Sequence, residues 1–304
     1  MEIHQRLERE SRRPLVLAIG FFDGFHRGHR ELAARTLRLR KPGWRSGVLT
    51  FANHPASHLR PGSEPPLICT PQERLDLFAG VGFEECFFIP FDDAVATLSP
   101  QQFLEILAER LGVRGVVVGT TFRFGHKRAG DVDLMREDLT RRGITFVSLA
   151  PVAEGGERIS STRIRELVAQ GDLAAADLLL GGTGYEIRGS VETGAGRGHA
   201  LGFPTANVRL PAKLLPKDGV YAAVARYDGR DYPSLVSIGT NPHFGGNART
   251  IEAWLRDFQY TIYGRELALR DLRYVREQRL FADTGELMRQ MQLDLQAIGY
   301  PSYG

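Results

Sequence analysis

The sequence predicts an α/β domain on a mostly parallel sheet, followed by a small all-β barrel and a closing helix. Three observations carry this. Short apolar runs alternate with helix-like segments through the first half of the chain. After Gly184 the strand-like stretches follow one another with only turns between them. Near the C-terminus, Leu287, Met291, Leu295 and Ile298 recur at helical spacing. Strands separated by helices favour a parallel sheet covered on both faces, whereas consecutive short strands favour a sandwich or barrel.

Leu15–Ile19 reads as the first strand, leading into a helix over Glu31–Leu39. Val48–Phe51 reads as a buried strand. Pro71–Ala79 reads as a helix with Thr70 as its N-cap and proline at its first position. Glu85–Ile89 is a further strand, and Ser99–Arg110 a helix capped by Ser99 and ended by Gly112. Val116–Val118 and Thr145–Leu149 complete the strands of this half. Two short helices, Thr162–Gln170 and Asp172–Leu180, are separated by Gly171, and Gly181-Gly182 ends the second. The domain boundary is therefore expected at Gly182, giving domains 1–182 and 183–304. Tyr185–Val191, Val220–Tyr227, Tyr232–Ile238, Ile251–Leu255 and Glu266–Val275 read as barrel strands, and Thr284–Ile298 as the closing helix.

The 304 residues are ample for two domains. A net charge of +3 gives no strong attraction to nucleic acid, so no nucleic-acid partner is expected. No apolar run approaches the roughly 20 residues that cross a bilayer, and no membrane partner is expected. The first ten residues are charged throughout, unlike a secretory signal. Cys69 and Cys86 lack metal-type spacing and read as reduced thiols, so a cytoplasmic protein is expected, as a monomer or weak homo-oligomer.

The most informative stretch is Gly20-Phe-Phe-Asp-Gly-Phe-His-Arg-Gly-His29, a glycine-rich turn between a strand and a helix. Such a turn brings backbone N–H groups and a helix N-terminus to one point, as phosphate binding requires. His26 and His29 add side-chain donors, and Gly28 permits close approach. Parallel sheets bind ligands at the carboxyl ends of their strands, where this loop and Gly119 both fall. A second phosphate-type cluster is Arg158-Ile-Ser-Ser-Thr-Arg-Ile-Arg165. Its hydroxyls read either as helix caps or as anion donors, with Arg158, Arg163 and Arg165 around them.

Taken with Thr50-Phe-Ala-Asn-His-Pro55, Val118-Gly-Thr-Thr-Phe-Arg-Phe-Gly125 with Gly130-Asp131, Gly202-Phe-Pro-Thr-Ala-Asn207, and Ile251-Glu252 with Asp257-Phe258 and Tyr263-Gly264, these motifs run in order along nearly the whole chain. In them the sequence resembles the bacterial bifunctional riboflavin kinase/FAD synthetase family. The resemblance implies a Rossmann-like nucleotidyltransferase domain followed by an antiparallel β-barrel kinase domain with a C-terminal helix. It implies riboflavin, FMN and FAD as substrates and products, ATP as co-substrate and Mg²⁺ as cofactor. In the first domain it implies that Gly20, Phe21, Phe22, Gly28, Ser161, Thr162 and Arg163 bind ATP. His26, His29, Arg158 and Arg165 would stabilise the transferring phosphoryl group, and His54, Thr121, Phe122 and Phe124 would meet flavin. From their residues alone, His54 reads equally as a helix cap, and Phe122 and Phe124 equally as core.

In the second domain the resemblance implies that an arch containing Gly196, Gly202 and Pro204 covers ATP. Thr205 and Asn207 would hold Mg²⁺, and Glu252 would be the general base. Arg276 and Phe281 would help enclose the flavin, and Asn241–Asn247 would form a loop beside the site. Glu252 also reads as an ordinary solvent-facing strand residue. Four positions depart from the family pattern: Asn53 for proline, Thr121 for Asn or Asp, His243 for threonine and Trp254 for histidine. The alternatives are a chain with only the kinase active, or a flavin-binding regulatory protein derived from the enzyme.

Overall fold

In the computed structural model the described residues are 1–11, 13–182, 184–193, 205–209, 211–240, 249–279, 281 and 283–297. They form two compact units, Met1–Ser161 and Thr162–Gly304.

The first unit holds strands β1 (Glu2–His4), β2 (Leu15–Ile19), β3 (Arg45–Phe51), β4 (Glu85–Ile89), β5 (Val113–Gly119) and β6 (Thr145–Leu149). They pair in parallel in the order β1-β4-β3-β2-β5-β6. Every residue of β2 is buried, as expected of a central strand covered on both faces. One core layer joins Leu15, Leu17 and Val116 to Leu104, Met135 and Leu139. The opposite layer joins Ala18, Val48 and Val117 to Phe22, Phe25 and Phe78.

Helix α1 (Arg27–Leu39) begins four residues before the expected start, because the His26 side chain accepts from the His29 N–H and caps it. Helices α2 (Pro55–Leu59), α3 (Pro71–Gly80), α4 (Asp93–Ala96) and α5 (Pro100–Glu105) follow. Thr70 caps α3 in a reciprocal capping box with Glu73. The helix from Ser99 changes to π geometry over Ile106–Arg110, where the Leu111 N–H donates to the Ile106 carbonyl, and stops at Gly112 with φ of 63°.

Several elements escaped the sequence reading, helix α6 (Val132–Arg141) and strand β1 among them. Helix α6 is capped by Asp131 and buries Val132, Met135 and Leu139, a helical spacing within one turn of the Gly130-Asp131 motif. Strand β1 is held by a buried cluster rather than by apolar pattern: Glu85, fully buried, accepts from Arg9 at 2.7–3.0 Å and pairs with His4 at 3.1 Å.

After the short hairpin β7 (Ala153–Glu154) and β8 (Glu157–Arg158), α7 (Ser161–Gln170) and α8 (Leu173–Leu180) lead into the second unit. Gly181, left-handed at φ 82°, ends α8. Strands β9 (Ile187–Glu192), β10 (Thr205–Val208), β11 (Gly219–Tyr227), β12 (Arg230–Thr240), β13 (Arg249–Leu255) and β14 (Glu266–Arg276) close an antiparallel barrel in the order β10-β13-β12-β11-β14-β9. β10 is the strand missing from the sequence reading. Its four residues follow a glycine-rich run, and its partners β13 and β9 are distant or separated from it by that run. Val236, Ile238, Ile251 and Ala253 fill the barrel, while their neighbours point outward. Helix α9 (Thr284–Ala297) covers part of the outside, packing Leu295 and Met291 on Val220, Leu235 and Trp254. Ile298 lies outside the described residues.

Candidate active sites

In the first unit, β2 continues to β3 on one side and β5 on the other, so the sheet has its topological switch point between β2 and β5. The loops leaving these two strands enclose a cleft of about 350 Å³. The loop after β2 is tightly built. Asp23, 1% exposed, accepts from the Ile68 and Cys69 N–H groups at 3.0–3.1 Å, while its carbonyl accepts from the Ser161 hydroxyl at 2.9 Å. Phe22 and Phe25 have φ of 58° and 38° and bury their rings against Phe78. Left-handed backbone at two residues with a Cβ is strain, held in place here by a full set of buried contacts. Beneath the loop, the fully buried Arg74 donates to the carbonyls of Phe21, Phe51 and Ala52 at 2.9–3.0 Å.

His26 and His29 stack with ring centroids 3.6 Å apart. Burial, and then the positive Arg158 nearby, push the His26 imidazole down to about 4. Burial, and then His26, hold His29 well below the ordinary histidine range. Both rings are therefore neutral near pH 7. The buried Nδ1 of His29 has no hydrogen-bond partner among the described residues. The cleft thus holds polar groups that an incoming anion would satisfy.

Of the residues expected here, Gly20, Phe22, His26, Gly28, His29, Thr121, Phe122, Arg158 and Ser161 line this one cleft. Arg158 donates to the Thr121 hydroxyl at 3.4 Å. A side chain on Gly28 would press on the His26 ring at 3.2 Å. Thr162, Arg163 and Arg165 belong to α7, do not line the cleft and fall in the second compact unit. Phe21 does not line the cleft: it lies under the Arg74 guanidinium at 4.6 Å and meets His54 edge-on at 4.7 Å. His54 accepts from the Ala56 N–H at 3.1 Å and caps α2. Phe124 is core, 5.5 Å from Phe103. Asn53 makes a two-bond clamp on the backbone of Phe91, which accounts for its presence where the family pattern has proline. The sequence reading missed Arg123 and Arg128, which also line the cleft. Their only sequence signal is position: Arg123 stands inside the Val118–Gly125 motif and Arg128 in the gap between it and Gly130-Asp131.

In the second unit, register assembles the candidate site. β10 pairs with β13 so that Asn207 faces Glu252 and Thr205 faces Trp254, while Ser237 of β12 flanks Glu252 on its other side. Directly opposed residues share a face, here the outer one. A carboxylate thus stands beside an amide and hydroxyl oxygens. The Gln278 amide extends the row, donating to the Ser237 hydroxyl at 2.8 Å. Trp254, 5% exposed, packs under α9. Arg276 makes a two-pronged ion pair with the buried Asp294 at 2.8–3.0 Å and lies 5.7 Å from the Phe281 ring. Gly196, Gly202, Pro204 and the Asn241–Asn247 loop lie outside the described residues.

Among the described residues no group of three or more His, Cys, Asp or Glu side chains is arranged to hold a metal. Thr205 and Asn207 do offer hard oxygen donors on one face, which suits Mg²⁺ sharing its shell with substrate phosphates.

Together these features define a two-site phosphate-transfer protein: a parallel-sheet cleft for a nucleotide, and a barrel with a positioned carboxylate. The FAD synthetase family model matches residues 8–163, and the riboflavin kinase family model matches residues 181–299. The bifunctional riboflavin kinase/FMN adenylyltransferase of Bacillus subtilis (strain 168) is 33% identical over 302 residues, 97% of this chain and 95% of the relative. That of Escherichia coli (strain K12) is 35% identical over 282 residues, 92% and 90% of the two chains. The chain belongs to the bifunctional riboflavin kinase/FMN adenylyltransferase family and carries both of its catalytic modules. A crystal structure described as a macrolide-efflux protein from Streptococcus pneumoniae superposes with a TM-score of 0.85 at 28% identity, over 97% of each chain. Among the described residues here, no helix is long and apolar enough to cross a membrane.

Proposed function

We propose that this chain converts riboflavin to FMN in its barrel and FMN to FAD in its parallel-sheet cleft, consuming ATP at each step. The observation that carries the reading is the meeting of His26, His29, Arg158 and Ser161 in one cleft at the sheet's switch point, on the same chain as a barrel that sets Glu252 against Asn207.

In the barrel, Glu252 accepts the proton of the riboflavin 5′-hydroxyl as that oxygen attacks the γ-phosphorus of ATP, the bond to the β-phosphate oxygen breaks and ADP leaves. Thr205 and Asn207 would hold Mg²⁺. The ion, when bound, neutralises charge on the β- and γ-phosphate oxygens. Arg276 and Phe281 lie toward the flavin. In the cleft, an oxygen of the FMN phosphate attacks the α-phosphorus of ATP and pyrophosphate leaves. No protein nucleophile is needed, because positioning and charge stabilisation suffice for such a transfer. His26 and His29 donate to phosphoryl oxygens from one side, with Arg158 and Ser161 from another. Thr121 and Phe122 face the flavin side, while His54 and Phe124 act by supporting the walls.

The working division is 1–182 for adenylyl transfer and 183–304 for the kinase. Two free cysteines, Cys69 and Cys86, fit a reducing cytoplasm, and a monomer or weak homo-oligomer is the expected form. Incubating purified protein with riboflavin, ATP and Mg²⁺, then separating flavins by chromatography, tests the reading. FMN followed by FAD is expected. FMN alone would favour the kinase-only alternative, and unchanged riboflavin would refute both steps.

A further inference from the structure

The loop after β5 carries one feature that the reaction so far leaves unused. Its ends are pinned. Phe124 and Gly130 exchange backbone hydrogen bonds at 2.9 and 3.1 Å, and Gly125, at φ 72°, presses so closely on Pro100 that a Cβ there would lie 2.8 Å away. His126 is tied down as well, through its ring to the Ala96 carbonyl at 3.0 Å and its N–H to the Leu98 carbonyl. Between these anchors Lys127 and Arg128 are both left-handed, at φ 53° and 58°. Two successive non-glycine residues in that region are disfavoured, and such strain persists only where the surroundings impose it. Its effect here is to bring Arg128 to the wall of the cleft.

The other arginines lining the cleft are engaged. Arg123 pairs with Asp131 at 3.3 Å, and Arg158 donates to Thr121. The lining carboxylate Glu31 is 3.7 Å from Arg38. Arg128 has no ion pair and no side-chain hydrogen bond among the described residues. An unpaired guanidinium therefore faces a cleft whose two imidazoles are neutral. Arg128 is exposed to solvent at the cleft, free to meet an incoming anion, and a planar fork of donors matches a phosphate.

We propose that Arg128 binds the phosphate of FMN and steers its attacking oxygen toward the α-phosphorus of ATP. This rests on the adenylyl-transfer reading above. In-line displacement needs the nucleophile and the leaving pyrophosphate on opposite sides of the phosphorus. The histidine wall, with Arg158 and Ser161, is given to ATP, and Arg128 shares its loop with Thr121 and Phe122 on the flavin side. The bond from the FMN oxygen to phosphorus forms, the bond to pyrophosphate breaks, and Arg128 keeps its protons throughout. It offsets the repulsion between two anionic substrates and is a substrate-binding residue, not a base.

The test is steady-state kinetics of FAD formation by the full chain carrying R128A or R128K. R128A should raise the KM for FMN about 10- to 100-fold, the loss of a charge-assisted hydrogen bond pair, with the KM for ATP nearly unchanged. R128K, which keeps the charge without the fork, should fall between R128A and wild type. The melting midpoint should not move, since the guanidinium has no protein partner to lose. An unchanged KM for FMN, or an equal rise in the KM for ATP, overturns the role of Arg128 where the wild type makes FAD. A wild type that makes no FAD sinks the adenylyl-transfer reading and this assignment with it.

Discussion

The two units present their candidate site residues in opposite ways. The cleft of the α/β unit buries its histidines and keeps them neutral, leaving charge compensation to arginines around them. The barrel sets a half-buried carboxylate on its outer face, where strand register alone aligns it with Asn207 and Ser237. Stabilising a transferring phosphoryl group requires donors of fixed position, which burial supplies. Abstracting a proton requires a base within hydrogen-bond reach of the substrate hydroxyl, which a place on the barrel's outer face allows. The difference in burial thus matches the difference between the two proposed tasks.

The sharpest way to break this comparison is Glu252→Gln. FMN formation should fall by about 10²- to 10⁴-fold, the usual worth of a general base, while conversion of supplied FMN to FAD is retained. Joint loss of both activities would contradict separate sites. The mirror experiment is His29→Ala, for which FAD formation should fall about 10²- to 10³-fold with FMN formation unchanged. An undiminished FAD yield would remove His29 from the site.

Asp294→Ala probes the barrel's architecture. It strands the Arg276 guanidinium beneath α9 and should destabilise the barrel by about 3 kcal/mol, read by thermal melting, with FAD formation from FMN intact. No change in melting would mean that the pair is not holding α9 in place.

A graded effect is expected in acid. A histidine whose folded pKa is depressed binds its proton more readily in the unfolded chain, so stability is full above about pH 6.5 and declines below it. Between pH 6.5 and about 4, His26 alone should lower the stability of the α/β unit by about 1.4 kcal/mol per pH unit, with His29 acting in the same direction. Melting curves of wild type and His26→Gln across that range would sharpen the contrast with the barrel. Identical slopes would mean that the cleft histidines titrate normally.

Much of this molecule was legible in its residues. The apolar runs of β2, β4 and β6 and the caps of α3 and α5 announced themselves by pattern, and the Gly20–His29 loop by composition. The elements that escaped were those without such a signal. β1 is a three-residue edge held by the buried Glu85 with Arg9 and His4, and β10 becomes a strand through partners not adjacent to it in the chain. Phe124, His54 and Trp254 could each be read two ways because an aromatic ring or an imidazole suits core, cap and ligand site alike. Arg128 was passed over because an exposed arginine carries no mark of the backbone strain that presents it.

Local chemistry along the chain was enough to determine the α/β-then-barrel fold class, the main strands and helices and the family, since capping, periodicity and motif spacing act over a few residues. The tertiary structure decided that His26 and His29 are neutral, that Glu252 faces Asn207 and that Arg128 turns to the cleft. Desolvation, strand register and loop strain each depend on groups far apart in the chain, and only folding brings those groups together.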